Sequence, residues 1–467
     1  MAEQKFDVVV IGGGPGGYIA AIRAAQLKQS VACVERDRLG GVCLNWGCIP
    51  TKALLKNAEY MNFLNHAQDF GFGVKDVTVD FAKVIKRSRD VAEKMSKGVE
   101  FLFKKNKITK FSGNGFIPTP GVVQVKDAKG SVTDTLAAKN IIIATGARPR
   151  MIPGIEVDRK KILTSAETMV VSKVPSSIVI IGAGAIGVEF AYFFRAFGAK
   201  VTIVEMMPDV LPVEDTEVSK ELARSFRKSG IETLTETRVR SAKAVGAGVE
   251  VIVEDKNNTA TTLKADLALN AVGVQGNVEE IGLEQLKVTM EKSFIKVDKY
   301  QQTNVKGIYA IGDVNGPPWL AHVASVEGVV AAEHCSGYPT EGMDYTNIPG
   351  CTYCQPQVAS VGMTERKARE LGIELKVGKF PFTANGKANG TGETAGFVKL
   401  IFEAKYGELL GAHIIGSEAT EMIGELVIAR NLEATVETIY KTIHAHPTFS
   451  EAVRGAAEAA DGIALDI

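Results

Sequence analysis

Cysteine and histidine are scarce in this chain, six of each among 467 residues, and tryptophan occurs only twice. So few thiols over such a length exclude a disulfide-stapled secreted scaffold. Neither charge sign is in excess: 54 Lys and Arg stand against 54 Asp and Glu. Without a basic surplus or a dense basic stretch, nothing favours nucleic acid as a partner. Long apolar runs are also missing. The early VVVIGGGPGGYIAAI is interrupted by glycines and a proline, well short of the ~20 uninterrupted residues that span a bilayer. A strand pattern starting by Phe6 leaves no room for a signal or transit peptide, so the expected location is the cytoplasm. What is present is ordinary for a globular protein, 45% apolar and 23% charged residues. The length calls for about two to four domains.

The first informative stretch is KFDVVVIGGGPGGYIAAIRAAQLKQSVACVERD. An apolar run meets Gly12-x-Gly14-x-x-Gly17, a small-residue helix pattern follows, and a second apolar run ends at Glu35. The spacing predicts strand, phosphate loop, helix and strand. Glycines there let the backbone turn and approach a pyrophosphate at a helix N-terminus. Glu35 falls where an acid hydrogen-bonds an adenosine ribose. The unit recurs as SSIVIIGAGAIGVEFAYFFRAFGAKVTIVE, with Gly182, Gly184, Gly187 and Glu205 at the same spacings. Each copy has a later echo, NIIIATGARP (140–149) and DLALNAVGV (266–274). This reads as two dinucleotide-binding domains from an internal duplication. GIYAIGDV (307–314) adds a strand ending at Gly312-Asp313, where a carboxylate can meet a ribityl or ribose hydroxyl. From about Tyr345 short alternating runs, GFVKLIFE (396–403) and GELLGAHII (407–415), predict an antiparallel sheet. Helix patterns around 417–430 and 448–460 complete a separate C-terminal domain.

Between the first helix and the rest lies GVCLNWGCIPTKALL (41–55), with Cys43 and Cys48 close together and Pro50 and Lys52 just after. In a regular helix positions five apart are separated by ~7.5 Å along the axis. Bridged Cα atoms are usually under ~7 Å apart. The pattern therefore puts Cys43 in an irregular first turn and Cys48 one turn deeper, with Pro50 distorting the segment. A bridge there would be reducible, as a working redox pair must be. Lys52 shares a helix face with Cys48 and favours the thiolate. A zinc half-site lacks companion ligands at suitable spacing, so no metal is expected; two buried core thiols remain the bland alternative. Near the C-terminus, HAHPTFSE (444–451) offers a proton handler: His446 before a proline, and Glu451 one turn into the next helix to fix its tautomer. Thr448-x-x-Glu451 is also a capping box. His444 is expected to be packed and hydrogen-bonded rather than half of a metal pair.

Taken in order, the cysteine segment, the paired fingerprints, GIYAIGDV and HAHPTFSE resemble the flavin disulfide reductases over nearly the whole chain, and within them the branch that oxidises dihydrolipoyl groups with NAD. The resemblance implies an α/β fold with two Rossmann-like domains and a C-terminal α+β dimerisation domain. Residues 1–150, completed by a central segment 277–345, would hold FAD through Gly12, Gly14, Gly17, Glu35, Lys52, Gly115, Thr145, Gly146, Asp313 and Ala321. Residues 151–276 would hold NAD through Gly182, Gly184, Gly187, Glu205, Val239 and Gly273. Residues 346–467 would form the homodimer. Cys43 would be the interchange thiol and Cys48 the thiolate against the flavin, with Lys52, paired with Glu189, near the reactive nitrogen. His446, oriented by Glu451, would take the substrate proton across the dimer. Partners would be lipoyl domains and the acyltransferase core of 2-oxoacid dehydrogenase complexes, or a glycine-cleavage lipoyl carrier.

Near relatives separate on single positions. Glutathione and trypanothione reductases usually take NADPH, but Glu205 is followed by two methionines rather than arginine, which favours a free 2′-hydroxyl. Mercuric reductases would end in a cysteine pair; this chain ends ADGIALDI. Soluble transhydrogenases lack the first cysteine. Two positions depart from the pattern. Gly273-Val-Gln-Gly-Asn277 replaces a G-R-x-P-N turn, which puts one dinucleotide contact in question. CTYC (351–354) replaces a tyrosine-threonine pair and reads as interface thiols rather than a second redox site. Other readings are a glutathione-type reductase and a binding or scaffold subunit of a 2-oxoacid dehydrogenase complex. Intact Cys43, Cys48 and His446 argue against a catalytically dead scaffold.

Overall fold

The computed structural model describes residues 4–467. The chain divides into two compact units, one of residues up to Leu54, Asp80–Arg150 and Gly273–Asp344, the other of Leu55–Val79, Met151–Val272 and Tyr345–Ile467. No helix among the described residues is long and apolar enough to cross a membrane.

The first unit is built on β1 (Gln4–Ile11), α1 (Pro15–Gln26), β2 (Val31–Glu35), α2 (Gly41–Trp46), the start of α3 (Cys48–Asn65) as far as Leu54, α4 (Phe81–Lys105), β3 (Thr109–Ser112), β4 (Asn114–Thr119), β5 (Val122–Lys126) and β6 (Val132–Ile143). Its seven-stranded sheet runs β3-β2-β1-β6-β5-β4, with Ile308–Ala310 also pairing with β6. Contacts among β3, β2, β1, β6 and Ile308–Ala310 are parallel; β5 and β4 return antiparallel. Val8 and Val10 enter one core, Val9 and Ile11 the other. The run is apolar without alternation because both faces of the sheet are covered. The small residues of α1 also have a packing reason. A Cβ on Gly16 would lie 2.9 Å from the Ala324 carbonyl oxygen, and one on Gly328 would lie 2.6 Å from that of Gly16. Only bare backbones let α1 and the helix Ala321–Cys335 approach so closely.

In the second unit the repeat builds a five-stranded parallel sheet. Ser177–Ile181 is central, flanked by Lys200–Val204 and Leu267–Asn270, with Ile231–Leu234 and Ile162–Leu163 outside. Each fingerprint strand thus sits between the strand that ends in its acid and the strand of its later echo. The C-terminal part forms a five-stranded antiparallel sheet, with Phe397–Glu403 and Leu409–Gly416 in its interior.

The expected alternation in those two strands is not found. Phe397–Phe402 and Leu409–Gly416 are buried at every residue; Val398, Leu400, Phe402, Ala412 and Ile414 share a core with Met422, Ile423, Leu426, Ala452 and Val453 of the helices that follow. Lys399 survives there with 2% of its side chain exposed because Nζ meets Asp215 at 2.9 Å, Glu217 at 3.0 Å and Glu365 at 2.7 Å. A buried ammonium is tolerated when it is this fully paired. The helix pattern of 417–430 appears as Ala419–Asn431 and that of 448–460 as Glu451–Ala460, with a further short helix, Val436–Lys441, between them.

Candidate active site

The two fingerprint loops are near copies in geometry. Gly12 and Gly182 have φ of +106° and +105°, and a Cβ on either would strike the carbonyl oxygen of Ala144 at 2.2 Å or of Ala271 at 2.4 Å. Gly17 and Gly187 are equally constrained: a Cβ would come within 1.9 Å of the Gly12 oxygen or 2.0 Å of the Gly182 oxygen. The middle glycines differ. A Cβ on Gly184 would have nothing within 4 Å, and one on Gly14 only the Gly41 Cα at 3.8 Å. Nothing in the protein requires glycine there. The space left open faces the first turn of a helix, where a pyrophosphate binds. Both loops therefore fit a dinucleotide.

The acids do more than was expected of them. Glu35 accepts the Gly13 amide at 2.7 Å and the Asp37 amide at 2.8 Å, one with each oxygen. Glu205 repeats this with Ala183 at 2.7 Å and Met207 at 2.8 Å. Each carboxylate pins its glycine loop to the end of the adjacent strand. Each oxygen keeps a further lone pair for a ribose hydroxyl.

This contrast yields a prediction. Gly187→Ala should abolish a folded second loop, since a methyl cannot occupy the Gly182 oxygen's place. Gly184→Ala should fold normally, because Gly184 has extended φ and ψ of −71° and 179° and open surroundings. It should weaken NAD roughly tenfold or more, one lost close approach of ~1.4 kcal/mol. Thermal unfolding and NAD titration on both variants check it; unchanged NAD affinity in Gly184→Ala would remove that glycine from the site.

The cysteine segment breaks at a different point from the one its proline suggested. α2 ends at Trp46, Gly47 leaves helical geometry at φ −147° and ψ −114°, and α3 starts anew at Cys48. Pro50 is the third residue of α3, where a backbone N–H is unsatisfied in any case. The two cysteines thus lie on two short-linked helices, not on successive turns of one. Cys43 hydrogen-bonds to Cys48, and this bond, followed by burial and the charge at Cys48, pushes the Cys43 thiol well up; the Lys52 ammonium acts in the opposite sense.

At the C-terminus His446 Nδ1 lies 2.9 Å from Glu451 Oε1, while Glu451 Oε2 accepts the Thr448 amide at 2.9 Å. Glu451 is the first residue of its helix rather than one turn in. The capping box is half formed, because the Thr448 hydroxyl turns to the Ala445 carbonyl at 2.7 Å. Burial works against ionisation of Glu451, but the Thr448 amide and the imidazole outweigh it and hold the carboxyl below the usual carboxylate range. An ionised acceptor at Nδ1 requires the proton there and leaves Nε2 as the base. The His446 side chain is 76% exposed and open to a substrate. His444 is only 9% exposed and faces Glu425 at 3.7 Å, which raises its pKa. Among the described residues no group of three or more His, Cys, Asp or Glu is placed to hold a metal ion.

The remaining candidates sort by what they touch. Asp313 sits in a short 3₁₀ turn, Gly312–Asn315, and burial raises its pKa. The turn is held by Glu327, a buried residue with no motif around it, whose Oε2 accepts the Gly312 amide at 2.6 Å. Thr145 donates to the Asn277 carbonyl at 2.7 Å, and the Asn277 amide returns to Gly146 at 2.9 Å. Asn277 thus still closes the departing GVQGN turn. Gly146 and Gly273 have φ of +68° and +101° with open space around them. Gly115 is explained by packing, since a Cβ would lie 2.6 Å from Ile11 Cγ2. Ala321 begins its helix. Val239 is half-buried in Arg238–Val245, beside a bulge. Within the second unit Glu189 is buried and accepts the Tyr353 amide at 3.0 Å. Cys354 is buried with its Sγ 3.3 Å from the Pro356 carbonyl, and Cys351 is half-buried in a strand.

Comparison with known proteins agrees with this geometry over the whole chain. A family model for pyridine nucleotide-disulphide oxidoreductases matches residues 6–328, and one for the dimerisation domain of the same family matches residues 348–457. Dihydrolipoyl dehydrogenase of Rhizobium etli is 48% identical with 100% of both chains covered, and that of Bacillus subtilis 44% identical with 99% of each. Among solved structures, the crystal structure of LpdA from Mycobacterium tuberculosis superposes with a TM-score of 0.90 at 26% identity, covering 97% of this chain and 99% of that one. The chain belongs to the pyridine nucleotide-disulphide oxidoreductase family, flavoenzymes that bind FAD and NAD(H).

Proposed function

We propose that the protein is a cytoplasmic homodimer that oxidises protein-bound dihydrolipoamide to lipoamide while reducing NAD+ to NADH. Residues 1–150 and 277–345 hold FAD, 151–276 hold NAD and 346–467 form the dimer. The observation that carries the reading is the Cys43–Cys48 pair, hydrogen-bonded to each other from two helices that break at Gly47, with the Lys52 ammonium acting on it. The full-length likeness to dihydrolipoyl dehydrogenases supports the choice of substrate.

The chain's residues divide the work as follows. A substrate thiolate attacks Cys43 Sγ, the Cys43–Cys48 disulfide opens, and Cys48 leaves as the thiolate. His446 Nε2 of the facing subunit takes the proton from the second substrate thiol, which closes the lipoyl disulfide and releases Cys43. Glu451 holds that imidazole in the required tautomer. Lys52 keeps positive charge beside the pair. Bound FAD supplies the two-electron link from the dithiol to NAD+. In balance, one dithiol loses two electrons and two protons; NAD+ takes a hydride and one proton is released. The lipoyl group belongs to the carrier domains of a 2-oxoacid dehydrogenase complex or of glycine cleavage.

The test is anaerobic NADH formation from dihydrolipoamide and NAD+ by the purified yellow protein. Rapid formation that fails with NADP+ is expected, because Glu205 stands where a 2′-phosphate would lie. Absence of NADH with flavin bound would overturn the substrate, and oxidised glutathione with NADPH would then be the pair to try.

A further inference from the structure

The helix α4 lies along the redox segment and donates to its backbone at three places. Ser96 Oγ donates to the Leu39 carbonyl at 2.8 Å, Arg87 to that of Ala53 at 3.0 Å, and Arg89 to that of Asn45 at 2.5 Å. The first two brace the ends of the segment. Arg89 alone acts at the break between the helices that carry Cys43 and Cys48. Its guanidinium also lies 4.3 Å over the ring of Trp46, the last residue of α2.

The position of that contact matters. For α2 and α3 to fuse into one helix, the Asn45 carbonyl would have to accept the Ile49 amide, and the Trp46 carbonyl the amide of residue 50. Residue 50 is proline and has no N–H to give. The Asn45 carbonyl is turned instead to Arg89. The chain after the break starts afresh, with both the amide and the hydroxyl of Thr51 on the Gly47 oxygen, at 3.1 and 2.7 Å. Two adjacent carbonyls are thus withheld from a continuous helix by two different devices. A continuous helix would set the cysteine Cα atoms ~7.5 Å apart along its axis, beyond the ~7 Å limit for a disulfide.

We infer that Arg89, through the Asn45 carbonyl and the Trp46 ring, is a positioning residue that keeps the break at Gly47 open and so holds Cys43 and Cys48 in disulfide-compatible geometry. The inference rests on the reading of these cysteines as the redox pair. Releasing the clamp favours the continuous helix and hence the dithiol.

The experiment equilibrates the FAD-loaded enzyme anaerobically in dithiothreitol redox buffers, followed by alkylation and mass analysis of the peptide that carries both cysteines. Arg89→Met keeps the stem and removes the charge and the planar donors. It should shift the equilibrium about tenfold toward the dithiol, or about 30 mV for this two-electron couple. Pro50→Ala, which restores the missing donor, should shift it the same way, and the double variant further than either. Trp46→Leu and Arg89→Lys should each shift it about threefold, since each keeps part of the clamp. A purely structural role would lower the unfolding temperature and leave the equilibrium where it was. If Arg89→Met titrates within twofold of the parent, the inference is overturned. If Arg89→Met cannot be purified, unchanged equilibria in both Arg89→Lys and Trp46→Leu overturn it. A parent enzyme that forms no Cys43–Cys48 disulfide at any poise would instead overturn the redox reading beneath it.

Discussion

Cys48→Ser yields a yellow protein that still binds FAD and no longer turns over dihydrolipoamide. In the proposed reading the flavin is held by the glycine loop, Glu35 and the Asp313 turn, none of which includes residue 48. A serine hydroxyl at the first residue of α3 suits a helix start as well as a thiol does, so stability should change little. Catalysis has no such substitute. A hydroxyl cannot close a disulfide with Cys43, and its pKa forbids the anion that the reduced pair must carry. Turnover should fall by roughly 10⁴-fold or more, as for removal of an essential nucleophile. Cys43→Ser should be as inactive with dihydrolipoamide, since the disulfide needs both sulfurs. Cys43→Ser keeps the sulfur at 48 that the proposed mechanism releases as the thiolate, and Cys48→Ser does not. The two variants should differ in the long-wavelength absorbance that a thiolate gives beside an oxidised flavin, present in the first and missing in the second. Undiminished lipoamide turnover in Cys48→Ser, measured as NADH formation, would end the assignment of the pair.

The sequence made the nucleotide folds legible because their constraints are local and steric. A glycine at Gly17 or Gly187 is forced by a carbonyl five residues back, and such a clash leaves a fixed spacing in the chain. The acids were equally legible in position, yet half their work was hidden. That Glu35 and Glu205 tie amides of their own loops depends on strand register, which places the end of one strand beside the loop after another. The break in the redox segment shows a different limit. Proline was the obvious suspect, but it sits in the first turn of α3 and costs that helix nothing. The departure falls on Gly47, and beside the donor that Pro50 lacks, what keeps it there comes from α4, about forty residues on, through an arginine whose local sequence is that of any solvated helix face. Contacts at such separations leave no periodic mark. The same reason hid the pairing of Lys399, because its three carboxylates lie far from it in the chain.

His446→Gln should separate the two halves of the reaction. Glutamine keeps a polar donor of similar reach at the position that donates to Glu451, so the turn at 445–448 and the start of the helix Glu451–Ala460 should persist. What it removes is the base at Nε2. Loss of a positioned general base costs about 10²–10⁴-fold, and here the loss falls only on steps that move the substrate's protons. Reaction with dihydrolipoamide should slow by that amount. Oxidation of NADH by an artificial one-electron acceptor, which takes electrons from the flavin without using the thiols, should stay within a factor of about two, a barrier change of only ~0.4 kcal/mol. Glu451→Gln should act in the same direction but more weakly, since an amide can still touch Nδ1 while losing the charge that fixes the tautomer. The sign of the pH effect follows from Glu451. Its carboxyl is held below the usual range, so the stability it contributes is present above the unfolded carboxylate pKa and is lost as pH falls through its lowered value in the fold. The orienting bond is therefore intact above that lowered value, and acidification through it should slow the dihydrolipoamide reaction as the bond is lost. In His446→Gln that acid limb should vanish while the smaller residual rate remains. An equal loss in both assays, or an acid limb unchanged in the variant, would make His446 a structural residue and require another proton acceptor for the substrate thiol.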